Sequence, residues 1–279
     1  VNYLDLFSGI GGFAYGAWLA GMKFENHLFS EIEKYCIDLY QMRFPDSIYA
    51  GDITKIDTDE LKNKYGNEWI LTGGIPCQDI SIAGKGAGIE GKRSGLWFEY
   101  WRIIRDLQPR FAIMENVPAL TFRGLDRVLG SLAEIGYNAE WQIISAADMG
   151  APHKRERAWI MAYPESDGNR RKQRKNGYSE KERFKKIGEK VRSFINNDSK
   201  STREIPNTNG TGLERKNKFQ SAFCESSGLY RKSKQWEIEP AVGRVANGIP
   251  HRVDRLKGLG NAILPQIAEL LFNLIKDLT

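Results

Sequence analysis

The chain has 279 residues, enough for one large domain, or one with a small second unit, around a substantial core. Its three cysteines (Cys36, Cys77, Cys224) are odd in number and far apart, and with only three histidines they form neither a disulfide framework nor a zinc cluster, so no metal is expected and a reducing, cytoplasmic setting fits. The net charge of +6 is regional: positions 164–250 hold 20 Lys and Arg against 11 Asp and Glu, leaving 21 against 24 elsewhere.

A basic region beside a mildly acidic remainder suits a polyanion partner, nucleic acid first, although a solvated polar insert is the plainer alternative. No apolar run approaches the roughly 20 residues that cross a bilayer, and the N-terminus reads as a strand rather than a signal peptide, so a soluble protein is expected.

Val1 to Phe7 reads as a short apolar strand, and Ser8-Gly9-Ile10-Gly11-Gly12-Phe13-Ala14 as a glycine turn into a helix. Gly9, Gly11 and Ala14 give G-x-G-x-x-A, and Glu31 lies 20 residues beyond Gly11 at the end of a second strand, Asn26 to Ser30. This fingerprint fits a nucleoside-containing cofactor: glycines admit the ligand, a helix N-terminus offers free N–H groups, and the acid accepts from ribose. A tight turn with no ligand is the alternative. A helix (Glu33 to Phe44), a strand (Ser47 to Gly51) ending at Asp52 and a weaker helix (Asp57 to Tyr65) follow.

The next strand, Trp69 to Leu71, leads into Gly73-Gly74-Ile75-Pro76-Cys77-Gln78. Cys77 is the candidate nucleophile, although a lone strand-end cysteine is more often a small buried apolar residue. The glycine-rich, basic stretch from Asp79 to Gly95 suits a flap over a site, and Leu96, Trp97, Tyr100, Ile103, Ile104 and Leu107 mark the apolar face of a helix. Phe111 to Met114 reads as a buried strand ending at Glu115-Asn116-Val117-Pro118, followed by a helix (Phe122 to Ile135) and an alternating strand from Tyr137 to Ile143. His153-Lys154-Arg155-Glu156-Arg157 enters a strand from Ala158 to Tyr163, and two arginines two apart in extended backbone face the same way. Between Pro164 and Pro250 basic clusters alternate with aromatic residues, as in an irregular insert; after Pro265, Ile267, Leu270, Leu271, Leu274, Ile275 and Leu278 form the apolar face of a final helix.

Taken together these residues resemble the C5-cytosine DNA methyltransferase family, of bacterial or phage type. Asp5 to Gly12 resembles its cofactor motif, Pro76-Cys77-Gln78 its nucleophile motif, Glu115-Asn116-Val117 its acid motif, His153 to Arg157 its Q-x-R-x-R motif, and Gly260-Asn261-Ala262-Ile263 its G-N-S-V motif. His153 and Ala262 depart from the usual Gln and Ser. The resemblance implies an α/β fold, Rossmann-like and S-adenosylmethionine-dependent, with catalytic and cofactor-binding parts at 1–163 and 251–279 and a target-recognition insert at 164–250.

By the same resemblance Cys77 attacks C6 of a flipped cytosine, Glu115 serves N3, Arg155 contacts the cytosine edge and Arg157 supports the acid. Phe7, Ser8, Gly9, Ile10, Gly11, Gly12, Glu31, Ile32, Asp52, Ile53, Pro76, Leu96, Asn261 and Ala262 are the implied pocket for S-adenosyl-L-methionine and its product S-adenosyl-L-homocysteine. Double-stranded DNA is the implied partner of a monomer, with Gln78, Ser81, Lys85, Arg93, Arg215 and Lys216 as contacts and a restriction endonuclease as functional companion. A tRNA cytosine methyltransferase shares the catalytic motifs. A nicotinamide-dependent oxidoreductase explains the glycine turn and Glu31, but not Cys77, Glu115 and the arginines together.

Overall fold

The computed structural model describes residues 1–76, 95–151, 153–165 and 252–276. Seven strands form one sheet in the order β3-β2-β1-β4-β5-β7-β6. They are β1 (Asn2–Leu6), β2 (His27–Ser30), β3 (Ile48–Tyr49), β4 (Trp69–Gly74), β5 (Phe111–Asn116), β6 (Tyr137–Ile144) and β7 (Arg157–Pro164). Strands β1 to β5 pair in parallel, whereas β7 runs antiparallel between β5 and β6. The order reverses direction after β3, and the next strand in sequence, β4, lies on the other side of β1; such a switch point leaves a crevice beyond the strands' C-terminal ends. This is the Rossmann-like α/β sheet expected of a methyltransferase.

Helices α1 (Gly12–Leu19), α2 (Lys34–Arg43), α3 (Thr58–Tyr65), α4 (Leu96–Leu107), α5 (Leu120–Arg123), α6 (Leu125–Glu134), α7 (Arg252–Asn261) and α8 (Pro265–Lys276) complete the described chain. Period-2 alternation sends side chains to opposite faces of the sheet. Leu4, Leu6, Leu71 and Met114 join Trp97, Tyr100, Ile103, Val128 and Leu132 from α4 and α6 in one core. Tyr3, Ile70 and Ile113 join Phe13, Tyr40, Ile267, Leu271 and Ile275 from α1, α2 and α8 in the other.

Close approach rather than turn geometry explains Gly16: a Cβ there would stand 2.5 Å from Ala268 Cβ and 2.7 Å from Pro265 O, so α1 and α8 meet backbone to backbone. Residues 257–276 are apolar and long enough on average to cross a membrane, but Ala262–Leu264 interrupt the helix, and α8 buries Ile267, Ala268, Leu271, Phe272 and Ile275 in the core.

Several sequence expectations shift. Gly124, at φ 148°, divides the expected helix from Phe122 to Ile135 into α5 and α6. Strand β3 shrinks to two residues, and Asp52 caps a short 3-10 turn (Ile53–Lys55) instead of ending a strand. Helix α7, which carries few large apolar residues, was not expected.

Candidate active site

The C-terminal edge of the sheet brings described, sequence-predicted residues together from both sides of the switch point. On the β1–β3 side the chain turns sharply after Leu6: Phe7, Gly9 and Gly11 all take positive φ values, 51°, 52° and 85°. A positive φ at Phe7, a bulky residue, is uncommon and stays only where its surroundings enforce it. The glycine turn is fastened from below, because Arg43 Nη1 donates to Ile10 O at 3.1 Å. Glu31, just past β2, is tied to the same turn: its Oε2 accepts from Gly9 N at 2.7 Å, and its Oε1 accepts from Ile32 N and Glu33 N at 2.8 and 3.0 Å. The Asp52 carboxylate accepts from Thr54 N at 2.9 Å.

Around this turn the residues fit a nucleoside-bearing cofactor. Ser8 Oγ is buried without a hydrogen-bond partner among the described residues, and Ile32, beside Glu31, is 69% exposed. Phe7 and Leu96 are only partly buried against the core, whereas the Ile53 side chain lies within it.

Beneath the glycine turn is a polar network that the sequence reading did not single out. Asp5 is fully buried and accepts from Thr72 Oγ1 at 2.7 Å and Tyr40 Oη at 3.1 Å; Tyr40 Oη in turn meets His27 Nε2 at 2.7 Å. Burial pushes the Asp5 carboxyl up to about 7 and His27 down to about 4, so near neutral pH the imidazole is uncharged. An acid interrupting the apolar run Tyr3-Leu4-Asp5-Leu6 was the available sequence signal.

On the other side, Glu115 is the penultimate residue of β5, opposite Gly74 of β4. A Cβ on Gly74 would lie 3.6 Å from Glu115 Oε2, so the glycine keeps the space beside the carboxyl open. Glu115 is 9% exposed, and Arg157 Nε donates to its Oε1 at 2.9 Å. Burial raises the Glu115 carboxyl to about 7 against the opposing pull of Arg157 and Arg155. The group can therefore hold or release a proton near neutrality, as a general acid must.

The two arginines do not lie in one extended run. Arg155 takes φ 32° and precedes β7, which begins at Arg157. The turn is built by Ala146 N, which donates to Lys154 O at 2.8 Å, so the chain bends before the strand starts. Arg155 Nη2 donates to the carbonyls of Gly260 (2.9 Å) and Ala262 (2.5 Å), which brings the predicted Gly260–Ile263 motif to the site. Asn261 is exposed, and Ile263 packs on Gly12 and Gly74. Pro76 is the last described residue before Cys77; Cys77, Gln78, Ser81, Lys85, Arg93, Arg215 and Lys216 lie outside the described residues.

Against known proteins, the family model for C-5 cytosine-specific DNA methylase matches residues 1–247. The chain belongs to the C-5 cytosine-specific DNA methylase family. Among curated relatives, the Type II methyltransferase M.NgoBI of Neisseria gonorrhoeae is 36% identical over 167 residues, 58% of this chain and 50% of that protein. M1.ScrFI of Lactococcus lactis subsp. cremoris, also a Type II methyltransferase, is 37% identical, covering 57% and 41%. The orphan methyltransferase M.Rho11sI of Bacillus phage rho11s is 34% identical, covering 59% and 33%. The matched part of this chain thus spans half or less of the length of these relatives. Among solved structures, a Spodoptera frugiperda DNMT2 variant aligns over 63% of this chain and 53% of that one, at 20% identity and a TM-score of 0.49. Family membership leaves the nicotinamide-dependent reading without support.

Proposed function

We propose that this methylase-family chain transfers a methyl group from S-adenosyl-L-methionine to C5 of a cytosine flipped out of duplex DNA. The observation that carries the reading is Glu115: a buried carboxyl, raised to about 7 and paired with Arg157, on the strand beside the one that leads to Pro76-Cys77.

Carbon 5 of cytosine is a weak nucleophile, so the ring must be activated. In this reading the Cys77 thiolate forms a bond to C6, and Glu115 supplies a proton at N3, so that negative charge does not accumulate on the ring. Arg157 holds the Glu115 carboxyl in place. Bound S-adenosyl-L-methionine supplies a methyl group on a sulfonium sulfur for transfer to C5. Transfer of the C5 proton to water then restores the C5–C6 double bond and releases the thiolate, and the N3 proton returns to Glu115. A free thiol is only a few per cent ionised near pH 7, so cationic neighbours help the attack.

Glu31 is the acceptor for ribose hydroxyls, Asp52 for the adenine amino group, and Phe7, Ile32 and Leu96 supply apolar contact. Ser8, Gly9, Ile10, Gly11, Gly12, Ile53, Pro76, Asn261 and Ala262 complete the pocket. Base flipping is required because Cys77 must approach above the ring plane, and it costs a few kcal/mol. Gln78, Ser81, Lys85 and Arg93 are assigned to that step. Residues 164–250, with Arg215 and Lys216, are assigned to DNA recognition, by phosphate contacts and base-edge readout. In this reading the enzyme is a cytoplasmic monomer that acts alongside a restriction endonuclease.

The test is incubation with methyl-labelled S-adenosyl-L-methionine and either duplex DNA or tRNA. Label in 5-methylcytosine of the duplex supports the reading. Label entering only tRNA, or neither, sinks it.

A further inference from the structure

The paired arginines have separate employments. Arg157 serves Glu115, while Arg155 uses both N–H groups of Nη2 on the carbonyls of Gly260 and Ala262. Those carbonyls lie in the last turn of α7 and just past its end, where helix carbonyls lack intrahelical partners and carry the negative end of the helix dipole. A guanidinium, with coplanar donors, is well matched to two of them at once. The backbone at Arg155 adopts a φ of 32°, which a non-glycine residue keeps only when its surroundings enforce it.

The segment held in this way forms a wall of the glycine turn. A Cβ on Gly12 would come within 2.9 Å of Ile263 Cβ and of Ile263 O, and one on Gly258 within 3.2 Å of Ile10 Cγ2. On the acid side, a Cβ on Gly74 would come within 3.3 Å of Ile263 Cδ1. Lys257 Nζ adds an ion pair to Glu33 at 2.6 Å, two residues from Glu31. Ile263 thus touches both halves of the site, and Arg155 fixes the backbone immediately before it.

We infer that Arg155 is a positioning residue for cofactor binding: it clamps Gly260–Ala262 so that Asn261 and Ile263 close the pocket over the glycine turn, with no DNA required. This rests on the cofactor reading proposed above. A residue that served only the cytosine edge would leave cofactor affinity in the absence of DNA unchanged.

The experiment titrates S-adenosyl-L-homocysteine, without DNA, into the full chain and its Arg155→Ala, Arg155→Lys and Arg157→Lys variants, by calorimetry. Arg155→Ala should bind about 10-fold more weakly, the loss expected for a charge-assisted hydrogen bond. Arg155→Lys should fall between, since an ammonium lacks the planar fork, and Arg157→Lys should stay within about 2-fold of the parent. Hydrogen exchange should quicken at 258–264 in the Arg155 variants and remain slow in β1 and β4. Unchanged affinity in Arg155→Ala, or an equal loss in Arg157→Lys, overturns the clamp. If Arg155→Ala does not fold, equal affinities for Arg155→Lys and Arg157→Lys overturn it. A parent chain that binds no S-adenosyl-L-homocysteine contradicts the cofactor reading itself, a separate result from loss of the clamp.

Discussion

Two acids stand at the C-terminal edge of the same sheet, and they are built for opposite work. Glu31, beyond β2, accepts three backbone N–H groups and is only partly buried. Its oxygens are acceptors held in fixed directions, which suits the ribose contact proposed for it. Glu115, at the end of β5, is buried and faces an arginine, and its carboxyl is raised to about 7. Strand-end placement supplies the address, and the surroundings decide whether a carboxyl binds or exchanges a proton. In the proposed reading the β1–β3 side takes the cofactor and the β4–β7 side the base, with Ile263 touching both.

The sharpest way to break this division is Cys77→Ala. Methyl transfer should fall by at least about 10⁴-fold, as for loss of a covalent nucleophile, while S-adenosyl-L-homocysteine affinity stays within about 2-fold. Loss of cofactor binding as well would show that the two sides are not separable. Next, Glu115→Gln should lower turnover by about 10²- to 10⁴-fold, the usual contribution of general acid catalysis. The pH profile carries the sign: a carboxyl raised to about 7 is protonated below that pH, so parent turnover should decline as pH rises through about 7. A turnover that rises through that range would contradict this role for Glu115.

A smaller effect tests the frame that holds both sides. Gly16→Ala places a methyl 2.5 Å from Ala268 Cβ and 2.7 Å from Pro265 O, and should cost about 1–3 kcal/mol in denaturant unfolding. Unchanged stability would mean that α8 moves freely on α1. The smallest effect belongs to the basic insert: Arg215→Ala or Lys216→Ala should reduce the slope of log affinity against log salt by about 1 on duplex DNA. An unchanged slope places the phosphates elsewhere.

The sheet was legible because its strands are short apolar runs punctuated by Gly, Asp and Glu, and α4 and α8 because their apolar faces recur at helical spacing. The motif residues were legible by type and order. Three features were not. Helix α7 is polar along most of its length, so it carries no strong period. The turn at Arg155 depends on backbone bonds from Ala146, nine residues away, and strand alternation alone pointed to an extended segment. The antiparallel insertion of β7 between β5 and β6 is set by pairing across the sheet, which local pattern does not encode.

If a thiol attacks a ring protonated by Glu115, a duplex containing 5-fluorocytosine at the target position traps the adduct. Fluorine at C5 cannot leave as a proton does, so the bond from Cys77 to C6 should persist after methyl transfer. A denaturation-resistant protein–DNA complex should form with the parent chain only when S-adenosyl-L-methionine is present, and not with Cys77→Ala. A complex that survives in Cys77→Ala, or methylation of ordinary duplex by that variant, would contradict it.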